Sequence, residues 1–295
     1  MLTNPIYLIE QGVLIIRFTN QHALIILTMK LDIIIPCYNA ASTLNRAVES
    51  SLQQAELHQL WLVDDASTDD TWAHIQAWQA RYPSRIQACR LPDNGGVARA
   101  RNWGALQSQA EIIGFLDADD AYQAHALQAA LYCFEQLDYL GLIRLRLQAV
   151  GLDSRYANHP NIAQAWHSLQ MTVGGNTLFR RAFFLACGGF PQDALFRELG
   201  GEDGALGIAT TQSSVVGTLF ADSEPAVLHY CRAGMHAERL LDAYLFQQHD
   251  SRVTPENYAQ AQAVTSQIHQ QLQQLRPILN QAKNGSMPLT VSRAE

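Results

Sequence analysis

Four short, largely aliphatic runs alternate with segments of helical periodicity, and this alternation constrains the chain more than any other feature. Residues 31–35 are of the β-branched apolar kind that strands buried on both faces use, ending at Pro36, and 60–63, 86–91 and 112–116 read as three further short strands. Between them lie an apolar stripe through Leu44, Ala47, Val48, Ser51 and Leu52, and helical spacing of Trp72, Ile75 and Trp78 over 71–81. A third helical segment carries Val97, Ala100 and Leu106, and a fourth follows the last strand with Leu127, Leu131 and Phe134. Alternation of this kind builds βαβ units, so the predicted fold class is α/β with a mixed, mainly parallel sheet flanked by helices. In such sheets ligands sit beyond the carboxyl ends of the strands. Three polar clusters fall at those ends: Cys37-Tyr38-Asn39, Asp64-Asp65 and Asp117-Ala118-Asp119-Asp120.

Composition narrows the function. A net charge of −7 over 295 residues argues against an electrostatically driven nucleic-acid binder, which needs a basic face. Only Lys30 and Lys283 are lysines, so the positive charge is almost entirely arginine, the fork-shaped donor suited to phosphates and carboxylates. Five widely spaced cysteines without a C-x-x-C pair exclude a zinc ribbon, disfavour a disulfide framework and point to a reducing, cytoplasmic setting.

Three regions follow. Residues 1–29 hold broken apolar runs, none near the roughly 18 residues of a spanning helix, and are expected as an extension outside the fold. Residues 30–236 form the main domain. Residues 237–295 are expected as a helical tail: Thr254-Pro255 opens a helix with Tyr258, Ala261, Thr265, Ile268, Leu272, Leu275 and Leu279 on one stripe, Pro277 kinks it, Asn284-Gly285 ends it, and the last ten residues are loose. That stripe is compatible with a homodimer. Along 142–147 the apolar Ile143, Leu145 and Leu147 alternate with Arg144 and Arg146, as in a strand with one wetter face.

Read in order, I-I-I-P-C-Y-N (33–39), V-D-D-A-S-T-D-D (63–70), N-G-G-V-A-R-A-R-N-W-G (94–104), F-L-D-A-D-D (115–120), G-G-N (174–176), G-G-F (188–190) and G-E-D (201–203) resemble the inverting family 2 glycosyltransferases, which have the GT-A fold. The resemblance covers roughly residues 31–236. It implies a sugar transfer from a nucleotide-diphosphate donor, expected to be a UDP-sugar, to a saccharide or glycoconjugate acceptor. Polysaccharide biosynthesis in the cytoplasm or peripherally at the inner membrane face is the expected setting.

By the same resemblance, Pro36, Tyr38 and Asn39 border the nucleotide base, and Asp65 accepts from its ring N–H. Gly96 and Arg101 pass close to the nucleotide, with the arginine fork suited to phosphate. Asp117 and Asp119 match the D-x-D pair: the first meets the ribose or a metal-bound water, the second a divalent cation, Mn2+ or Mg2+, for which hard oxygen ligands are apt. Asp120 is an alternative to Asp119. Asp203 matches the catalytic base, beside Glu202, while Gly175 and Asn176 shape the wall near donor sugar and acceptor. His229 and His236 are both candidates for a third metal ligand, with His236 favoured because it lies in a polar segment.

Plainer readings stand beside these. Asp64-Asp65-Ala66-Ser67 also suits a helix cap, Asn94-Gly95-Gly96 a simple turn, and Glu202-Asp203 a helix N-terminus. The competing functions are a catalytically inactive nucleotide-sugar-binding module, kept alive by the plain stretch after Asp203, and a NAD-dependent oxidoreductase. The second would need a glycine-rich loop after the first strand, where this chain has Pro36-Cys37-Tyr38-Asn39-Ala40.

Overall fold

A computed structural model describes residues 6–10, 13–18, 28–278 and 283–293. Its centre is the predicted α/β core: β3 (Leu31–Cys37), α1 (Leu44–Leu52), β4 (Leu57–Asp64), α2 (Thr71–Arg81), β5 (Ile86–Arg90), α3 (Val97–Gln107) and β6 (Ile112–Phe115). β3 pairs in parallel with both β4 and β6, and β4 with β5. The central strand β3 is buried on both faces: Ile33 and Ile35 enter one buried cluster while Ile34 enters the other. Pro36 does not end β3, which runs on to Cys37 and so carries the first polar cluster to the sheet rim.

The chain continues through β7 (Ala121–Tyr122), α4 (Gln128–Gln136), β8 (Leu142–Leu145), β9 (Leu147–Val150), α5 (Ser154–Ala157), α6 (Ile162–Gln170) and β10 (Thr177–Arg180). Next come α7 (Arg181–Ala186), α8 (Ala194–Leu199), α9 (Glu202–Ser213), β11 (Val215–Leu219), β12 (Val227–Tyr230), α10 (His236–Phe246) and α11 (Pro255–Leu275). The large sheet has the order β1-β2-β13-β11-β8-β10-β6-β3-β4-β5, and β7, β12 and β9 form a smaller one. β10 is antiparallel to its neighbours β6 and β8, which makes the sheet mixed.

Two terminal expectations are corrected. β1 (Ile6–Glu10) and β2 (Val13–Phe18) pair with each other, and β2 pairs in parallel with β13 (Gly285–Arg293), so these segments extend the large sheet. β13 in turn pairs with β11, and Ile16 and Leu289 are fully buried in the main core. The reason is mutual: each terminal segment is a short apolar run too weak to stand alone, and each supplies the backbone partner the other needs. Residues 1–5, 11–12 and 19–27 lie outside the described residues.

α11 begins at the predicted cap, with a reciprocal Thr254–Asn257 capping box and Pro255 in the first turn. It stops at Leu275 rather than kinking at Pro277: Arg276 keeps helical angles, but Pro277 has no N–H to continue the helix ladder.

The paired arginines of 142–147 are also corrected. Arg144 is fully buried, donating to the carbonyls of Gln170 and Val173 and to Asn176 Oδ1, and burial pushes its guanidinium down to about 10. The 170–176 segment covers the Arg144 face, whereas Arg146 stays partly exposed beside Asp222. Among the described residues no helix is long and apolar enough to cross a membrane, and all five cysteines are free.

Candidate active site

The rim of the sheet holds two contiguous clefts. The first, about 520 Å3, is lined by Pro36, Tyr38, Asn39, Asp65, Asn94, Gly96, Asp117 and Asp119 among others. The second, about 860 Å3, takes in Arg101, Glu202, Asp203, His229 and His236. Both are bordered by Gly96, Val97, Asp117, Asp119, Arg197 and Arg232, so the seam between them is the D-x-D segment. Side chains far apart in sequence thus meet because strand ends β3, β4 and β6 are adjacent in the sheet.

Asp65 is buried, and its two carboxylate oxygens accept from the backbone N–H groups of Gly95 and Gly96 at 2.9 and 2.7 Å. The carboxylate therefore fixes the 94–96 turn against the first cleft. Gly96 has φ +92°, open to glycine and strained for other residues. Ala66, directly after Asp65, sits at φ +58°, and Asn39 at +49°; left-handed non-glycine residues clustering beside a cleft mark a backbone held in place by its surroundings. Asn39 is held by accepting from Thr68 N–H at 2.9 Å while its own N–H donates to Ser67 Oγ.

Arg101 differs from expectation. It is only 3% exposed, and both arms of its fork are engaged by carboxylates: Nη2 to Asp117 Oδ1 at 2.6 Å and Nη1 to Glu202 Oε1 at 3.3 Å. It is a buried bridge between the D-x-D and G-E-D segments rather than an open phosphate donor. The glycines at 174 and 175 follow from this bridge. A Cβ on Gly174 would come within 2.8 Å of Arg101 Nη1, and one on Gly175 within 2.8 Å of Asp117 Oδ2.

Asn176, expected at the sugar wall, is fully buried. Its amide donates to the carbonyls of Leu145 and Gln170, which makes it a support for the glycine turn.

Asp203 opens α9, preceded by Gly200 and Gly201, both at positive φ. Its carboxylate accepts from Gly174 N–H at 3.1 Å and Gly204 N–H at 2.8 Å and faces the second cleft. Glu202 beside it is buried; burial, reinforced by the charge of Asp203 and opposed by Arg101, pushes its carboxyl up to about 7.

Burial separates Asp119 from Asp120. Asp120 is fully buried, with Oδ2 on His229 Nδ1 at 2.8 Å and Oδ1 accepting from Tyr230 N–H. Asp119 lines both clefts and pairs with the exposed Arg232 at 2.7 Å. His236 packs its ring on Gly200 and is hydrogen-bonded by Arg239. Burial, then the Arg239 charge, keeps this imidazole below its ordinary value. His229 differs: with Nδ1 held by Asp120, its buried Nε2 has no partner in the protein, and the residue borders the second cleft.

Three residues of the site were not assigned from sequence. Asn102 clamps the G-G-F turn by donating to Phe190 O and accepting from Phe190 N–H, both at 2.8 Å. Arg197 and Arg232 border both clefts from segments without a distinctive motif. Asn102 adjoins Arg101 in sequence, but nothing local distinguishes it from a surface helix residue.

A sequence profile described as glycosyl transferase family 2 matches residues 32–193, more than half of the chain. The minor teichoic acid biosynthesis protein GgaA of Bacillus subtilis is 30% identical over 166 residues, 51% of this chain and 37% of that protein. The succinoglycan biosynthesis protein ExoU of Rhizobium meliloti is 40% identical over 90 residues, 30% of this chain and 26% of that protein. The chain therefore spans well under half the length of these relatives.

Among solved structures, S. aureus TarS 1–349 in complex with UDP-GlcNAc superposes with a TM-score of 0.61 at 19% identity, over 87% of this chain and 68% of that one. The mannosyltransferase PcManGT of Pyrobaculum calidifontis, in complex with GDP-Man and Mn2+, gives 0.55 at 18% identity, over 87% and 76%. These likenesses show the GT-A-like fold, and the profile match together with the ordered motifs at one sheet rim places this chain in glycosyl transferase family 2.

Proposed function

We propose that this glycosyltransferase moves a sugar from a nucleotide-diphosphate donor, a UDP-sugar, to a hydroxyl of a saccharide or glycoconjugate acceptor with inversion at the sugar carbon. The observation that carries the reading is the shared border of the two clefts at Asp117 and Asp119, with Asp65 on one side and Asp203 on the other. The first cleft has the volume of a small-molecule site and takes the nucleotide, with Tyr38 and Asn39 against the base. The TarS complex with UDP-GlcNAc supports a uridine donor. Asp203 takes the acceptor proton: its carboxylate is steadied by two backbone N–H groups and opens on the second cleft.

The donor set suits a divalent cation. Asp119 supplies a hard carboxylate, and His229 Nε2 is a buried nitrogen without a partner, oriented through Nδ1 by Asp120. Among the described residues no three such side chains stand together as a ready-made metal cage, and Arg232 pairs with Asp119, so this exposed side chain would have to leave Asp119 for an ion to be held there. We read Asp119 and His229 as the holders, in place of His236, whose ring is engaged by Arg239. When bound, such an ion offsets charge on the leaving diphosphate.

Release of UDP from UDP-GlcNAc or UDP-glucose, against GDP from GDP-mannose, with and without Mn2+, tests the reading. Donor turnover by the wild type and its loss in Asp203→Asn, with donor binding retained, is the expected result. Full activity of Asp203→Asn removes the base assignment. Donor binding without any turnover, with or without an acceptor, favours the inactive binding module.

A further inference from the structure

The second cleft is larger than proton transfer to a sugar hydroxyl requires, and its far wall is of the wrong chemistry for sugar alone. Beyond Asp203 it is bounded by Ile208 of α9, Leu240 of α10, Val253 before α11 and Tyr258 within α11. All four are unusually open for large apolar residues: Ile208 is 49% exposed, Leu240 46%, Val253 45% and Tyr258 63%. Clustered exposed apolar side chains mark a binding surface, whereas isolated ones do not. Ile208 lies five residues beyond Asp203 on the same helix, about 7.5 Å along its axis, and both residues border the second cleft.

Resting on the transferase reading above, we infer that the acceptor is amphipathic: its sugar hydroxyl sits at Asp203 and a hydrocarbon portion lies against Ile208, Leu240, Val253 and Tyr258. Two features favour this occupant over a second copy of the chain. The surface is a concave cleft with the volume of a small-molecule site, about 860 Å3, rather than a flat patch. It is also continuous with the proposed catalytic carboxylate, so a single acceptor can span both.

The test uses methyl, hexyl and octyl β-D-glucopyranosides as probes, below their micellar concentrations. Calorimetric binding is measured in the wild type and in the Ile208→Asp/Val253→Asp double variant, and transfer from the active UDP-sugar is measured in parallel. We expect octyl glucoside to bind at least tenfold more tightly than methyl glucoside in the wild type, with a more negative heat-capacity change from buried apolar surface. We expect that gap to close in the double variant. Both positions are exposed, so the variant keeps the wild-type melting temperature; should it not, Tyr258→Ser replaces it.

Equal affinities for methyl and octyl glucoside, or a gap that survives the substitutions, overturn the inference. So does a concentration-dependent dimer that the double variant dissociates. Chain-length-dependent binding with no turnover of any donor leaves the groove standing and removes the transferase reading. Turnover indifferent to chain length does the reverse.

Discussion

Arg101 donates to Asp117 at 2.6 Å from a position almost wholly shielded from water, and its other arm reaches Glu202. One guanidinium thus fixes the donor-side and acceptor-side acids relative to each other. Burying such a network without its cation leaves two carboxylates uncompensated, a loss of about 3–5 kcal/mol. Arg101→Met is therefore expected to lower stability on that order in urea unfolding. Arg101→Lys, which keeps the charge but cannot span both acids with one planar fork, should retain more stability than Arg101→Met and still lose most transfer.

Glu202 sets a pH dependence. Its carboxyl is held up at about 7 in the folded chain against an unfolded value of 4.5, chiefly by burial. Between those values the folded state binds more protons than the unfolded one, so this group's contribution to stability falls as pH rises from about 4.5 to about 7 and is level above. Melting temperature across that window should decline less steeply in Glu202→Gln than in the wild type. A parallel decline in both would show that Glu202 titrates normally.

Gly175 tests the close approach behind Asp117. Its missing Cβ would lie 2.8 Å from Asp117 Oδ2, so Gly175→Ala must displace that carboxylate. The expected outcome is a folded protein with donor affinity reduced at least tenfold in calorimetry. Gly204→Ala, where a Cβ meets nothing within 4 Å, is the matched control and should bind donor nearly as the wild type does.

The two histidines should separate in a metal titration. Loss of an oriented ligand, or of its orienting carboxylate, typically weakens metal affinity 10–100-fold. His229→Gln is expected to weaken Mn2+ binding in that range, while His236→Gln leaves it within a few-fold. Asp120→Asn should weaken it too, by freeing the His229 ring. The opposite ranking of His229 and His236 would restore the choice that the polar segment around His236 suggested.

Much of the parallel half was readable because its signals are local. Strands such as β6 are apolar throughout, and α2 begins and ends where its periodicity predicts. The polar clusters could be placed at strand ends by counting, since a strand's end is a property of the chain alone. Burial was not readable in the same way. Arg144 sits in an alternating run that suits a strand with one wetter face, and only the distant 170–176 segment packed over it makes it an interior residue. Asp119 and Asp120 are neighbours of identical chemistry, and opposite environments separate them. Arg101 was read as facing phosphate because Glu202, a hundred residues away, cannot be seen from the helix that carries it.

The sequence by itself determined the α/β class, the order of the motifs and the acids that line the rim, because apolar periodicity and strand ends depend on neighbouring residues. Only the tertiary structure decided which of those acids are free to meet a ligand and which are bound by arginine, histidine or backbone N–H groups. It also gave the terminal strands β2 and β13 their place. Pairing and burial depend on contacts between distant segments, and no local pattern encodes them.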